Sequence, residues 1–253
     1  MHGLTALHLT DPHARWPARR SRTTRTLLEA IAATPADLVL LTGDYMSDPG
    51  DERAALEWLC DVTHAARARL GVFGVFGNHD TSAFARTARR DPALAHVHWL
   101  DDAPVTVADA DRGATIRVYG SSEPEGLLGH RVSVIGAAAA DLELALVHVP
   151  SEAAACATLG IPLAFAGHTH GGQVRLNPKH APHTSCDLKP DAATGVLRYR
   201  DTLVSVARGL GEAVVMLRAN CPRQAPLIEL RCGETIGGSD PSRFETFEQV
   251  LPW

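Results

Sequence analysis

The sequence predicts an α/β fold in which a strand–helix half is followed by a half built mostly of strands. Three observations predict it. Up to about residue 96, apolar runs of strand length alternate with amphipathic helical stretches. Beyond that point short strands follow one another. No Pro/Gly/Ser-rich linker and no internal repeat separates the halves, so residues 1–237 read as one domain with two sheets. Residues 238–253 read as a tail, loosely attached or forming a short docking helix.

Residues 4–10, LTALHLT, read as a buried strand ending at Asp11. The helix RTTRTLLEAIAA (22–33) is stopped by Pro35. DLVLLTGD (37–44) has the continuous apolar run of a central parallel strand. DERAALEWLCDVTHAARAR (51–69) places apolar residues at helical spacing, with acids first and arginines last, which suits the helix dipole. LGVFGVFGNHD (70–80) is a strand running into a turn. TSAFARTARR (81–90) is a helix with Thr81 or Ser82 as its cap. Strands are then expected at 96–100, 103–109, 115–120, 142–150, 161–167, 203–211, 213–218 and 226–231.

A chain of 253 residues can bury the core of one large α/β domain. Its net charge of -5 and the lack of a basic stripe argue against a nucleic-acid surface. The arginines of RWPARRSRTTR (15–25) read as a solvated loop and helix start. Cys60, Cys156, Cys186, Cys221 and Cys232 contain no C-x-x-C pair and suit reduced thiols better than a disulfide framework. The opening MHGLTALHLTD lacks a basic n-region, and no apolar run reaches the roughly 20 residues a transmembrane helix needs. A cytoplasmic protein without a transmembrane segment is expected.

The strand-like runs stop repeatedly at residues able to hold a metal. The first stops at Asp11 and His13, the second at Asp44, and the third at Asn78, His79 and Asp80. Later come His148, and then His168 and His170 in GHTHGG. In extended backbone, residues i and i+2 face one side, which would aim each D-x-H or H-x-H pair in a single direction. Ends of parallel strands are where α/β folds place their sites. So many nitrogen and oxygen donors exceed one tetrahedral zinc and suit two metals sharing a carboxylate.

The ordered series DPH (11–13), GD (43–44), GNHD (77–80), His148 and GHTH (167–170) resembles the calcineurin-like metallophosphoesterase superfamily. GHTHGGQVRL (167–176), followed by VARGLG (206–211), is similar to a bacterial phosphodiesterase or phosphohydrolase branch. The resemblance implies a four-layer αββα sandwich of two mixed sheets flanked by helices. It implies that Asp11, His13 and His170 hold one metal, that Asn78, His148 and His168 hold the other, and that Asp44 bridges them. It places His79 above the metals as an acid or charge stabiliser, oriented by Asp80. Imidazole and carboxylate donors suit Mn, Fe or Zn. Such a pair activates a water for in-line attack at phosphorus.

GDYMSDPG lacks the arginine of the protein phosphatases' G-D-x-V-D-R-G, and GNHD ends in aspartate where they have glutamate. The expected substrate is therefore a small phosphodiester or pyrophosphate rather than a phosphoprotein. A phosphomonoesterase for a small metabolite and a non-catalytic scaffold are the competing readings. Arg175, Lys179, His180 and His183 follow the last motif as candidate phosphate contacts, with an ordinary surface loop as the other reading of the two histidines. His8, inside the first strand, reads as structural, and so do His96 and His98.

Overall fold

The computed structural model describes residues 3–15, 21–100, 103–123, 139–177, 180–186, 192–231 and 245–247. The first half runs β1 (Leu4–Leu9), α1 (Arg22–Ala33), β2 (Ala36–Thr42), α2 (Glu52–Ala65), β3 (Ala68–Val75), α3 (Ser82–Arg90) and β4 (Val97–Trp99). The second runs β5 (Val105–Asp109), β6 (Ala114–Ser121), β7 (Leu142–Val147), α4 (Ala153–Thr158), β8 (Leu163–Ala166), β9 (Gly195–Tyr199), β10 (Thr202–Val206), β11 (Leu227–Leu230) and β12 (Glu245–Phe247).

These strands form two mixed sheets, ordered β11-β1-β2-β3-β4 and β12-β9-β10-β8-β7-β6-β5. β1 to β4 are mutually parallel, and β11 pairs antiparallel with β1. In the second sheet β6, β7, β8 and β10 are parallel, while β5, β9 and β12 pair antiparallel.

Strand periodicity assigns the layers. On β2, Leu38 and Leu40 point between the sheets, while Val39 and Leu41 face the helices. On β7, Leu144 and Leu146 point inward, and Ala145 and Val147 face α4. Leu4, Ala6, Phe73, Val118 and Phe165 complete the inner layer. Burying each large apolar side chain there stabilises the fold by roughly 1.5–3 kcal/mol. Trp58 and Leu59 of α2 and Phe84 of α3 cover the outer face of the first sheet. Ser21 caps α1, its side chain accepting from Thr24 N, and Thr81 caps α3 in the same way through Phe84 N. His8 lies in the inner layer, wholly buried, with Nε2 2.8 Å from Thr42 Oγ1 and its ring edge-on to Phe165.

The structure corrects several expectations. Residues 213–218 form no strand, and Val214, Val215, Met216 and Leu217 are all exposed. The second helix stops at Ala65, because β3 already begins at Ala68. α4 and β9 are elements that the sequence pattern did not mark; each is short and led by a Pro or Gly turn. Within the 238–253 segment only residues 245–247 are described, and they pair with β9 as a strand.

Candidate metal centre

Both sheets deliver their C-terminal strand ends to one edge of the sandwich. Asp11 and His13 follow β1, Asp44 follows β2, and Asn78 follows β3. His148 follows β7, and His168 and His170 follow β8. The chain does not continue as extended strand through these positions. Asp11 (φ 49°), His13 (42°), Asp44 (54°), His168 (67°) and His170 (50°) all lie in the left-handed region. Each such residue costs on the order of 1–3 kcal/mol, and it persists only where the surroundings over-determine it. The expected i, i+2 alignment is therefore not what assembles the site. His168 and His170 turn apart and join different groups.

One group is Asp11, His13 and His170, and the other is Asp44, His148 and His168. Nε2 of His13 lies 3.0 Å from Nε2 of His170. Nε2 of His148 lies 3.2 Å from Nδ1 of His168 and 3.0 Å from Oδ1 of Asn78. Two ligands each about 2.1 Å from a common metal sit about 3.0–3.4 Å apart in octahedral or tetrahedral geometry, so these donors already hold the spacing of a coordination shell. Asp44 stands between the groups: its Oδ2 is 3.2 Å from His148 Nε2 and 3.6 Å from His13 Nε2.

Hydrogen bonds on the far sides fix which atoms face inward. His148 Nδ1 donates to the Thr42 carbonyl at 2.7 Å, and His168 Nε2 donates to the Ser185 carbonyl at 2.6 Å. Asp11 accepts from the Thr10 hydroxyl and from His168 N. Gly43 and Gly77 let the β2 and β3 ends cross closely. Gly43 has φ 95°, and a Cβ on Gly77 would strike Asp44 and come within 2.7 Å of His148.

Burial lowers the pKa of His13 and of His170 to about 4. Burial, and then the charge of His148, lowers His168 as well. Neutral imidazoles are what a cation requires, and on His168 the lone pair lies on the inward Nδ1. Burial also opposes charge on His148, yet Asp44 pushes it up to about 10. Despite its own burial, Asp44 is held well below the usual carboxylate range by His148 and His13. The cluster thus draws in positive charge, and the mixed N/O donor set fits Mn, Fe or Zn.

A model of the calcineurin-like phosphoesterases matches residues 4–172. The chain belongs to that family. A metallophosphoesterase from Bacillus subtilis (strain 168), the uncharacterized YkuE, is 23% identical over 205 residues, covering 77% of this chain and 68% of its own. Among solved structures, TT1561 of Thermus thermophilus aligns with TM-score 0.53 at 11% identity, over 82% of this chain and 90% of that one. The phosphopantetheinyl hydrolase PptH of Mycobacterium tuberculosis aligns with TM-score 0.51 at 11% identity, over 83% and 91%. These structures share the fold. Membership makes this chain a metal-dependent phosphoric ester hydrolase by family, with two candidate ligand groups in place.

In this phosphoesterase His79 sits beside the first group, its ring edge-on to His13 at 4.9 Å between centroids. Its brace is not Asp80. His79 Nδ1 donates to the Ser47 carbonyl at 2.8 Å, and His79 N donates to Asp44 Oδ1 at 2.8 Å. Asp80 instead ties the loops together, its oxygens accepting from Tyr45 N, Met46 N and Gly77 N. Burial, and then the charge of Asp44, pushes the Asp80 carboxyl up to about 7.

The candidate phosphate contacts divide. Arg175 is buried and donates to the Gly171 carbonyl, so it braces the turn after His170 rather than rimming the site. His180 is exposed, with its backbone bonded to Leu176 and Asn177. His183 Nε2 lies 3.1 Å from Ser185 Oγ, one residue's link away from His168. Lys179 lies outside the described residues.

Sequence reasoning missed two supports. Arg218 lies behind His170, donating to the carbonyls of His170, Arg208 and Gly211, with Nη2 3.3 Å from His170 Nδ1. Ser47 orients His79 through a backbone carbonyl, which any residue type supplies, so no sequence signal could have named it.

Proposed function

We propose that this phosphoesterase is a two-metal hydrolase of a phosphodiester or pyrophosphate. Asp11, His13 and His170 would hold one metal, and Asn78, His148 and His168 the other. The observation that carries this reading is Asp44 Oδ2, one carboxylate oxygen within 3.6 Å of histidines from both groups. When bound, the metals supply Lewis acidity to the phosphoryl oxygens and lower the pKa of water at neutral pH. The side chains of Asn78, His79 and His168 are the open ones, so substrate meets this face. Ser47 holds the proton on His79 Nδ1 and leaves Nε2 free to donate to a leaving oxygen when the ring is protonated.

A diester is favoured over a monoester by the space beside His13. A cavity of about 230 Å³ opens there, lined by Arg15, Leu27, Trp58, Met216 and Arg223 among others. It can hold a second substituent on phosphorus, which a monoester does not have. The test compares bis-nitrophenyl phosphate, nitrophenyl phosphate and a nucleotide-sugar pyrophosphate with added Mn. Diester or pyrophosphate turnover should exceed monoester turnover and vanish with chelator. A monoester preference would favour the small-metabolite phosphatase, and no turnover with both metals bound would favour a scaffold.

A further inference from the structure

Seven large apolar side chains are exposed among the described residues, and five of them gather on one rim: Leu176, Val214, Val215, Met216 and Leu217. Val214 is 89% exposed, and its φ of 58° is an outlier for a β-branched residue. Specific hydrogen bonds at its base hold the segment outward. The Gln173 side-chain amide both donates to Ala213 O and accepts from Ala213 N, at 2.8 Å each. Just after the tip, Arg218 anchors to the carbonyls of Gly211 and Arg208. Leu176 joins the same rim because Arg175 N donates to Ala219 O. Met216 lines the cavity beside His13, so the apolar tip stands at the mouth of the metal centre.

Arg15, from the arginine cluster that the sequence left as a solvated loop, reaches this tip. Arg15 donates to Met216 Sδ at 2.8 Å. Arg22 and Arg223 line one neighbouring cavity, and Arg25 is exposed on the same first turns of α1. Among the described residues acidic groups lie here as well: Asp48, bonded to Asp51 and close in the chain to Glu52, pairs with Arg15, and Glu212 pairs with Arg223 and Arg218, on a chain of net charge -5. An exposed apolar tip with arginines beside it is the arrangement of an interfacial anchor.

We propose that Val214–Leu217, with Leu176 and the neighbouring arginines, docks the mouth of the metal centre onto an anionic lipid bilayer. The tip would enter the headgroup boundary while the guanidinium groups meet lipid phosphates. A second copy of the chain fits less well. A two-fold contact would set like arginines against each other, and a four-residue finger falls far short of the roughly 800 Å² per partner of a stable interface.

The test is co-sedimentation with vesicles of phosphatidylcholine alone, and of phosphatidylcholine with about a third phosphatidylglycerol. The protein should partition onto the anionic vesicles, and added salt should weaken that binding. The triple variant Val214→Ser/Val215→Ser/Leu217→Ser should bind at least about tenfold less, with unchanged Tm and unchanged turnover of a soluble nitrophenyl ester. Arg22→Glu/Arg25→Glu should weaken binding to the anionic vesicles. Val214→Trp gives a readout independent of the triple variant, and its emission should shift to the blue on adding anionic vesicles. Absence of binding, binding that survives the triple variant, or no shift for the tryptophan would overturn the proposal. So would a dimer in sedimentation velocity that the triple variant turns into monomer, because a second copy would then cover the tip.

Discussion

His79 shows how much of the chemistry rests on a single tautomer. The Ser47 carbonyl accepts a hydrogen bond from Nδ1–H, so Nε2 is the nitrogen left to act. If His79 protonates the leaving oxygen, His79→Ala should keep its metals and its Tm while its rate falls by roughly 10²–10⁴. The loss should be greater for alkyl phosphodiesters than for nitrophenyl esters, whose oxygen leaves without a proton. Equal losses on both would make His79 a charge clamp. At this scale the donor types were legible, because His, Asp and Asn in a fixed order are rare apart from metal chemistry. Their backbone conformation was not. Five positive φ values at non-glycine residues follow from tertiary contacts such as His168 N on Asp11, which no local pattern encodes.

The elements that matter are the strand-to-loop joints. The ends of β2 and β3 meet at Gly43 and Gly77, where a side chain on Gly77 would push against Asp44. Gly77→Ala should therefore displace the carboxylate between the ligand groups. Isothermal titration with Mn should show at least about tenfold weaker binding, the scale of a disturbed ligand support, in a protein that still melts cooperatively. Unchanged affinity would mean that the loops yield freely. Parallel strands were legible from their unbroken apolar runs, as in DLVLL. The run AVVML was misread as a strand for the same reason. Apolar content marks burial only when something covers it, and here nothing among the described residues does.

Across the whole molecule, the end opposite the metal centre is pinned by charge. Arg69 at the start of β3 donates to Asp37 on β2 and, through two nitrogens, to Asp109 at the end of β5. Arg112 donates to Asp109 and Asp37 as well, joining one sheet to the other. Arg69 first, and then Arg112, holds the Asp109 carboxyl well below its usual range. Burial works against the charge of Asp37, but Thr5 N and Arg69 outweigh it and lower its pKa. Depressed carboxylates stabilise the fold above their unfolded pKa, and that stability is lost as pH falls through the folded values. Arg69→Met should lower Tm by several degrees at neutral pH, and the gap to wild type should narrow below about pH 4. A gap that does not change with pH would show that Arg69 acts by packing. The two-sheet architecture was legible from the change of pattern near residue 96. This cross-sheet pairing was not, because its residues lie up to 75 positions apart.

The central claim is that Asp44 joins two metal sites, and metal content tests it most directly. Protein purified without chelator and analysed by plasma mass spectrometry should carry about two equivalents of Mn, Fe or Zn. His13→Ala and His148→Ala should each retain about one, and Asp44→Asn should retain less than wild type and lose activity. A reproducible single equivalent in fully active wild type, unchanged in an active Asp44→Asn variant, would contradict the account.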